Sequence, residues 1–318
     1  MNSVQARTLR LAFSELAKNS VAGVRGVWVV RSPVPGPIVG ITLMTHGNEP
    51  SGLAAYHYFR HLYRLEEKLM RGTVYFVLNN IVAGKRYFST RTVAAKRKAR
   101  FVDINMNRLP SNTFLLKRDG RYEVRRAKEL RKIWKQFQCA LDIHSTGQPT
   151  KPMVIKLARS KSGMVSRFPI PTVISNIDAV QTGKPAAYFY GERRAETYSI
   201  ETGGHELEPS RKRAIACVQS FLASQRLIDG PRTPRAQRQK EYRVFSSVWF
   251  PNTSYELTRR MRNFEKVGRG QIIARGDGKP ILAPADAHVL MAPKGKKKPS
   301  INEEVMFLTR PSRPFRGK

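Results

Sequence analysis

Two histidines and a glutamate in this chain could bind a catalytic metal ion. His46 and Glu49 stand three residues apart in the stretch HGNE, soon after an apolar run. His144 ends a second apolar run, in the stretch CALDIHST. Two imidazoles and one carboxylate form a common catalytic zinc set, in which three protein ligands leave a fourth position open for water. The pattern therefore predicts one reactive zinc ion per chain.

Each of these signals is weak alone, because the His-x-x-Glu spacing occurs by chance and a lone strand-end histidine is more often structural. Asp142 lies two residues before His144 and therefore points to the same side of a strand. We expect its carboxylate to hold the outer nitrogen of the zinc-bound imidazole. His57 and His61 are four apart in HYFRH, which lacks the glutamate of a metalloprotease helix, so we interpret them as surface residues.

Alternating strands and helices must position these groups. Apolar runs predict strands at residues 24–30, 38–44, 74–78, 140–143, 173–177 and 198–200, and helical spacing predicts helices at residues 51–69, 123–137 and 209–227. This order predicts a three-layer α/β domain with a mostly parallel mixed sheet. Functional groups collect at the carboxyl edge of such a sheet, where the candidate ligands are expected to meet.

The chain is expected to contain two domains. Residues 229–240 read DGPRTPRAQRQK, a polar stretch with two prolines that is typical of a linker. Residues 1–228 would form the α/β hydrolase domain. Residues 241–318, with short apolar runs, regular glycines and prolines and a basic tail, would form a small β-rich domain that acts as a lid or wall.

The charge is unusual: 58 Lys and Arg residues against 23 Asp and Glu residues give +35. Such a field attracts anions without specifying which. A predicted helix has five basic residues on one face, which is most simply a solvated face: Arg121, Arg125, Lys128, Lys132 and Lys135. The sequence shows no zinc finger, RNA-recognition pattern or recognition helix, so it predicts at most non-specific association with nucleic acid or another polyanion.

A cytoplasmic location is predicted. Cys139 and Cys217 fall in apolar segments and cannot form a disulfide framework, which fits a reducing compartment. No apolar run approaches the roughly 18 to 20 residues of a membrane span, and the first residues lack the apolar core of a secretory signal. Residues 4–16 have basic amphipathic character, which fits a targeting peptide or, as we favour, a packed helix.

Four stretches in this order resemble the aspartoacylase and succinylglutamate desuccinylase family, relatives of the zinc carboxypeptidases: HGNE, RFVDINMNR, LDIHST and IETGG. The resemblance extends over about residues 38–204. It implies a zinc-carboxypeptidase-like α/β domain and a zinc-dependent amidohydrolase whose substrate is an N-acyl amino acid. It also implies roles for seven residues: zinc ligands His46, Glu49 and His144, general base and acid Glu201, carbonyl-polarising Arg100, and the substrate-carboxylate ligands Asn107 and Arg108.

One position departs from the pattern of the family. Where the usual motif reads Asp-Leu-Asn-Arg, this chain has Asn105 followed by Met106, Asn107 and Arg108. We expect the missing charge to affect how the neighbouring arginines are held, and with them substrate preference or efficiency.

Two other functions compete with the amidohydrolase. A zinc carboxypeptidase acting on peptides would share the metal site but would need an open groove. A polyanion-binding protein on a hydrolase scaffold would account for the charge and for Asn105, although a complete set of candidate ligands counts against lost catalysis.

Overall fold

The computed structural model of the chain describes residues 3–147, 150–230, 239–293, 295–296 and 303–312. Its strands are β1 Ser20–Val21, β2 Val24–Arg25, β3 Val27–Arg31, β4 Ile38–Leu43, β5 Thr73–Leu78, β6 Cys139–Thr146, β7 Met153–Lys156, β8 Thr172–Ser175, β9 Glu196–Gly204, β10 Lys240–Val248, β11 Glu256–Leu257, β12 Lys266–Val267, β13 Ile272–Arg275, β14 Ile281–Leu282, β15 Ala287–Leu290 and β16 Met306–Pro311. The α-helices are α1 Ser3–Lys18, α2 Gly52–His57, α3 Leu65–Lys68, α4 Ile81–Ser89, α5 Val93–Lys98, α6 Tyr122–Trp134, α7 Ser162–Val165 and α8 Glu208–Ser224. A π-helical turn spans Tyr58–Leu62, and 3₁₀ segments span Met106–Arg108, Ile177–Ala179 and Ala186–Arg193.

An eleven-stranded mixed sheet forms the middle layer, in the order β12-β15-β16-β10-β8-β7-β9-β6-β4-β5-β3. Strands β5, β4, β6 and β9 are parallel to one another. Strand β7 is antiparallel to β9, and β8 and β10 run parallel to β7. The sheet therefore contains two parallel groups of opposite direction, and their carboxyl ends lie at opposite edges.

Helices cover both faces of the sheet. Helices α1, α2 and α8 bury Leu9, Leu53 and Phe221 in one apolar cluster with strand residues such as Ile41. Helix α6 buries residues such as Trp134 in the cluster on the other face. Strands buried on both sides read as continuous apolar runs, which is why the sequence identified them. The predicted three-layer α/β fold is confirmed.

The predicted helix at residues 51–69 is interrupted. It consists of α2, the π-helical turn and α3, and Arg64 before α3 adopts a left-handed backbone with φ 59°. Helices α4 and α5 and strand β7 were not predicted. They are short, so they offer too few turns for an apolar period to stand out.

Strands of the C-terminal region extend the central sheet. Strand β10 pairs with β8, and β16 pairs with β10 on the other side. Strands β11, β13 and β14 form a separate small sheet, packed around a third apolar cluster. The predicted linker includes residues 231–238, which lie outside the described residues, and the division into two domains stays a prediction.

The N-terminal segment and the cysteines occupy the core. In α1, the residues Leu9, Ala12, Phe13 and Leu16 are buried against the sheet. Cys139 and Cys217 are buried and unpaired. Among the helices that the structure describes, none has the length and apolar character needed to cross a membrane.

Candidate metal centre and active site

Two adjacent parallel strands bring the predicted ligands together. Strands β4 and β6 are paired from Val39 with Cys139 to Leu43 with Ile143, so the residues that follow meet at one edge. Gly47 is required in the turn after β4, because a Cβ atom there would lie 2.3 Å from the backbone of Ala83. The Gly47 amide donates to the carbonyl of Arg100 at 2.8 Å. The HGNE turn is thereby joined to the segment that carries the other predicted site residues.

The Glu49 carboxylate lies between the two imidazoles. Its Oε1 is 2.8 Å from Nδ1 of His46, and its Oε2 is 2.7 Å from Nδ1 of His144. All three residues are buried, and one ligand atom from each lies within 4.8 Å of the others. Two nitrogens and a carboxylate that converge in this way match the donor set of a catalytic zinc site.

The outer nitrogens of both imidazoles are also held. Nε2 of His144 is 2.9 Å from Oδ2 of Asp142, as the spacing of these two residues predicts. The other Asp142 oxygen accepts hydrogen bonds from Thr42 and Thr45 at 2.7 and 3.0 Å. Nε2 of His46 is 2.8 Å from Oδ1 of Asn105. Each ring therefore directs Nδ1 toward Glu49, and its partner fixes that orientation.

Asn105 contacts His46, whereas the sequence suggested an effect on the neighbouring arginines. Its Oδ1 faces His46 and also accepts the backbone N–H of Asn107 at 2.9 Å. The negative charge that Asn105 lacks would therefore have acted on His46, a candidate metal ligand. His144 is backed by a carboxylate, whereas His46 is backed by a neutral amide.

Electrostatics distinguish the two imidazoles. Burial, together with the charge of Arg100, lowers the pKa of His46. Burial also opposes the charged form of His144, but the carboxylates of Asp142 and Glu49 raise its pKa well above the usual range. Although burial alone would raise it, the two imidazoles hold the pKa of Glu49 well below its ordinary value. A bound cation would replace the proton of His144, because a metal ligand must be deprotonated.

Glu201 lies on the strand next to His144. The two residues are paired in register between β9 and β6, and both side chains line one cavity. The Oε2 atom of Glu201 is buried and has no hydrogen-bond partner among the described residues. Burial, together with the negative charge of Glu49, raises the pKa of Glu201 to about 8. A carboxyl group with a pKa near neutrality can both accept and return a proton.

Arg100 lines the same cavity. Its Nη1 donates to Oε1 of Glu49 at 3.0 Å, and 39% of its side chain is exposed. The guanidinium thus joins the metal-site carboxylate to the solvent-accessible side of the cavity, where positive charge would meet an incoming substrate.

Asn107 and Arg108 also line the cavity, and both have partners in the protein. Nδ2 of Asn107 is 3.4 Å from Nε2 of His144, and its Oδ1 accepts the backbone N–H of Ala186. Nε of Arg108 donates to Oε2 of Glu304 at 3.0 Å, and its Nη1 donates to the carbonyl of Asn107 at 2.9 Å. The structure therefore brings together all seven residues that were predicted for the site.

Two residues that position the site were not predicted. The buried carboxylate of Glu304 fixes Arg108 from 196 positions away, and no local signal in the sequence announces that contact. Buried Glu123 accepts the backbone N–H groups of Val102, Asp103 and Ile104, which lead directly into the segment with Asn105. An acidic residue in the first turn of a helix was the only available signal for Glu123.

The cavity itself is narrow, at about 80 Å³. Met291, which follows β15, lines it together with Ile155 and Leu157 at the end of β7. The C-terminal region therefore supplies Met291 to the wall of the cavity and the buried Glu304 as a partner of Arg108.

The fold and this buried group define an α/β protein with a candidate metal centre at the carboxyl edge of its sheet. The family model described as "Succinylglutamate desuccinylase/Aspartoacylase catalytic domain" matches residues 35–224. The chain belongs to this family. Its members are acyl-amino acid amidohydrolases, which supports an enzyme that acts on a small acyl amino acid.

Solved structures show the same fold at low sequence identity. A succinylglutamate desuccinylase from Vibrio cholerae has a TM-score of 0.69 at 14% identity, covering 96% of this chain and 94% of the other. A succinylglutamatedesuccinylase/aspartoacylase from Rhodobacter sphaeroides has a TM-score of 0.62 at 17% identity, with coverages of 90% and 89%. The ectoine utilization protein EutE from Ruegeria pomeroyi, in a product-bound structure, has a TM-score of 0.59 at 17% identity, with coverages of 89% and 88%. Among curated proteins, none matches the chain.

Proposed function

We propose that the protein is a zinc-dependent hydrolase that cleaves the amide bond of an N-acyl amino acid, releasing a carboxylic acid and an amino acid. The observation that carries this proposal is the juxtaposition of the buried His46, Glu49 and His144 group with Oε2 of Glu201, which has no hydrogen-bond partner within the described part of the chain. A metal-assisted hydrolase needs protein ligands for the metal, typically three, and an acid–base group that does not bind the metal.

A zinc ion held by His46, Glu49 and His144 would supply a Lewis acid and a water whose pKa falls from about 15.7 to about 7. Glu201 would take a proton from the attacking water and later give it to the nitrogen of the leaving amine. A residue that both accepts and donates this proton needs an oxygen without a permanent hydrogen bond to the protein. Oε2 of Glu201 has no hydrogen-bond partner within the described structure.

The arginines supply charge at two points. Arg100 places a guanidinium beside the metal ligands, where a carbonyl oxygen gains negative charge during attack. Arg108 and Asn107 bind the carboxylate of the substrate, since a guanidinium fork suits a planar carboxylate. The pairing of Arg108 with Glu304 fixes the guanidinium before substrate arrives, which lowers the entropic cost of binding.

A carboxypeptidase that acts on peptides remains the alternative with the same metal site. The small volume of the cavity and the presence of Met291 at its wall favour a small substrate over a peptide. The polyanion-binding hypothesis receives no support from the comparisons. The basic residues Arg125, Lys132 and Lys135 of α6 and the turn after it are exposed to solvent, as a solvated face would be.

A substrate panel tests the proposal. We expect zinc-loaded protein to hydrolyse at least one N-acetyl, N-succinyl or N-formyl amino acid with a kcat/KM about tenfold or more above that of the dipeptide with the same C-terminal residue, a discrimination within reach of pocket contacts. Release of the free amino acid measures the rate. A preference for the dipeptides would replace the proposal with the carboxypeptidase.

A second prediction concerns Asn105. Asn105→Asp should raise the affinity for zinc by roughly tenfold, because a carboxylate against the outer nitrogen makes His46 a more basic ligand. Competition with a chromophoric chelator measures the affinity. Asn263→Asp, which introduces the same change of charge in the C-terminal region, serves as the control. Equal or weaker zinc binding by the Asn105→Asp protein would contradict the role assigned to this contact.

A further inference from the structure

A second cleft lies at the opposite edge of the sheet from the metal ligands. Strands β7, β8 and β10 run parallel to one another and against β9, so their carboxyl ends point away from the edge that carries His46 and His144. A cleft of about 430 Å³ lies there. Ligands of open α/β sheets collect outside the carboxyl ends of parallel strands, and this sheet has two such edges.

Three in-register residues line the cleft from adjacent strands. Lys156 pairs with Ser175 between β7 and β8, and Ser175 pairs with Arg243 between β8 and β10. Side chains that are opposite one another in neighbouring strands project to the same face. Lys156 and Arg243 therefore lie on either side of Ser175, in one line across the three strands.

Loops add two further cations. Arg159 follows β7, and its guanidinium donates to the carbonyls of Ala195 and Tyr188, which orients it at the wall of the cleft. Lys184 places Nζ 5.3 Å from the centre of the Tyr188 ring, which also lines the cleft. Within the described residues, Arg159, Lys184 and Arg243 form no ion pair with a carboxylate.

Among the described residues, one carboxylate lines the cleft. Asp178 lines it, and its Oδ2 accepts the backbone N–H of Ala158 at 2.9 Å. Arg159, Lys184 and Arg243 outnumber this carboxylate, and the resulting excess of positive charge in a concave site focuses an anionic ligand there.

Ser175 gives an independent indication of a ligand. Its residue is 7% exposed, and its Oγ is buried with no hydrogen-bond partner among the described residues. A buried hydroxyl without a partner is costly, by about 1 to 3 kcal/mol, unless something else satisfies it. An anion bound between Lys156 and Arg243 would accept that hydrogen bond.

We propose that this cleft binds a small organic or inorganic anion with two or three negative charges, separately from the catalytic cavity. The volume of the cleft falls within the usual range of small-molecule sites, about 300 to 1,000 Å³. The cleft is therefore large enough to hold a small ligand. The two sites have neighbouring walls: Leu157 and Pro185 line both cavities. Lys184 also pairs through its backbone with Leu109, next to Arg108.

Calorimetric titration of the full chain with pyrophosphate and with citrate, at about 0.15 M salt, where exposed charges are screened beyond about 8 Å, tests the proposal. We expect saturable binding of at least one of them to the chelated protein, with a stoichiometry of one. Metal-free protein is used because both anions bind zinc themselves. Tighter binding of pyrophosphate would identify a phosphoryl ligand, and tighter binding of citrate a polycarboxylate.

Matched variants distinguish the cleft from the general charge of the protein. Lys184→Gln combined with Arg243→Gln should weaken the binding about tenfold or more, and Ser175→Ala should weaken it to a smaller extent. Arg125→Gln combined with Lys132→Gln removes the same charge from the exposed face of α6 and should change the affinity by less than about twofold. An equal loss in both double variants, or no saturable binding of either anion, would overturn the proposal. Because zinc does not enter this measurement, its outcome is independent of the hydrolase assignment.

Discussion

Glu201→Gln is expected to reduce the turnover of an N-acyl amino acid by at least about 10²- to 10⁴-fold, roughly 3 to 5 kcal/mol of transition-state stabilisation. Glutamine keeps the size of the side chain but cannot shuttle a proton. The metal ligands His46, Glu49 and His144 are untouched, so bound zinc should stay near the wild-type content. Rates measured under substrate saturation on zinc-loaded protein isolate the loss in kcat.

The melting temperature of the Glu201→Gln protein is expected to distinguish a catalytic role of Glu201 from a structural role. No ion pair of Glu201 with an arginine is found within the described residues, and burial raises its pKa to about 8. A carboxyl group with a raised pKa is largely protonated at pH 7 in the metal-free protein, so a neutral amide replaces a neutral acid. The melting temperature of the metal-free Glu201→Gln protein should therefore be unchanged or slightly higher. Glu208→Gln, at the exposed start of α8, is the control; it should leave the rate unchanged and lower the melting temperature only slightly, through the lost surface ion pair with Lys212.

An early-melting Glu201→Gln protein that hydrolyses substrate at the normal rate where it is folded would contradict the catalytic assignment. It would show that the carboxyl group supports the fold and that another group carries the proton.

His46→Ala and His144→Ala are each expected to remove most of the zinc from a protein that otherwise binds about one ion per chain. Each substitution leaves only two protein ligands, and a catalytic zinc site uses three. Metal analysis after dialysis against a weak chelator measures the loss. His57→Ala is the matched control, because this imidazole lies at the end of α2 and outside the candidate group. Zinc contents that are equal in all three variants would show that the ion binds elsewhere.

The ligand set could be predicted from the sequence because it depends on short-range patterns. Continuous apolar runs identified β4 and β6, and parallel strands bring their carboxyl ends to one edge. That geometry places His46, Glu49 and His144 at one edge, and the resemblance to the family adds the implication that they are metal ligands. The role of Asp142 follows from the alternation of side chains along β6.

Contacts between distant segments could not be predicted in the same way. Glu304 pairs with Arg108, and Glu123 holds the backbone of residues 102–104, only because the tertiary fold brings them close. The contact of Asn105 with His46 likewise depends on a packing of two turns that are 59 positions apart. The sequence shows that Asn105 departs from the usual motif of the family. It does not show that Asn105 contacts Nε2 of His46.

The break between α2 and α3 and the extension of the sheet by β10 have the same origin. A left-handed residue such as Arg64 carries no glycine or proline signal, so the apolar pattern continued through it. The pairing of β10 with β8 joins segments on either side of a polar, proline-containing stretch that is typical of a linker. Neither feature has a local signal in the sequence, and the pairing of β10 with β8 forms only in the tertiary fold.

The most direct measurement of the central claim compares hydrolysis of the N-acyl amino acid panel by zinc-loaded, chelated and zinc-restored protein from one preparation. We expect hydrolysis of at least one N-acyl amino acid to disappear with the metal and to return when one equivalent of zinc is added. Undiminished hydrolysis by the chelated protein, or none of any N-acyl amino acid by protein with a full equivalent of zinc, would contradict the account.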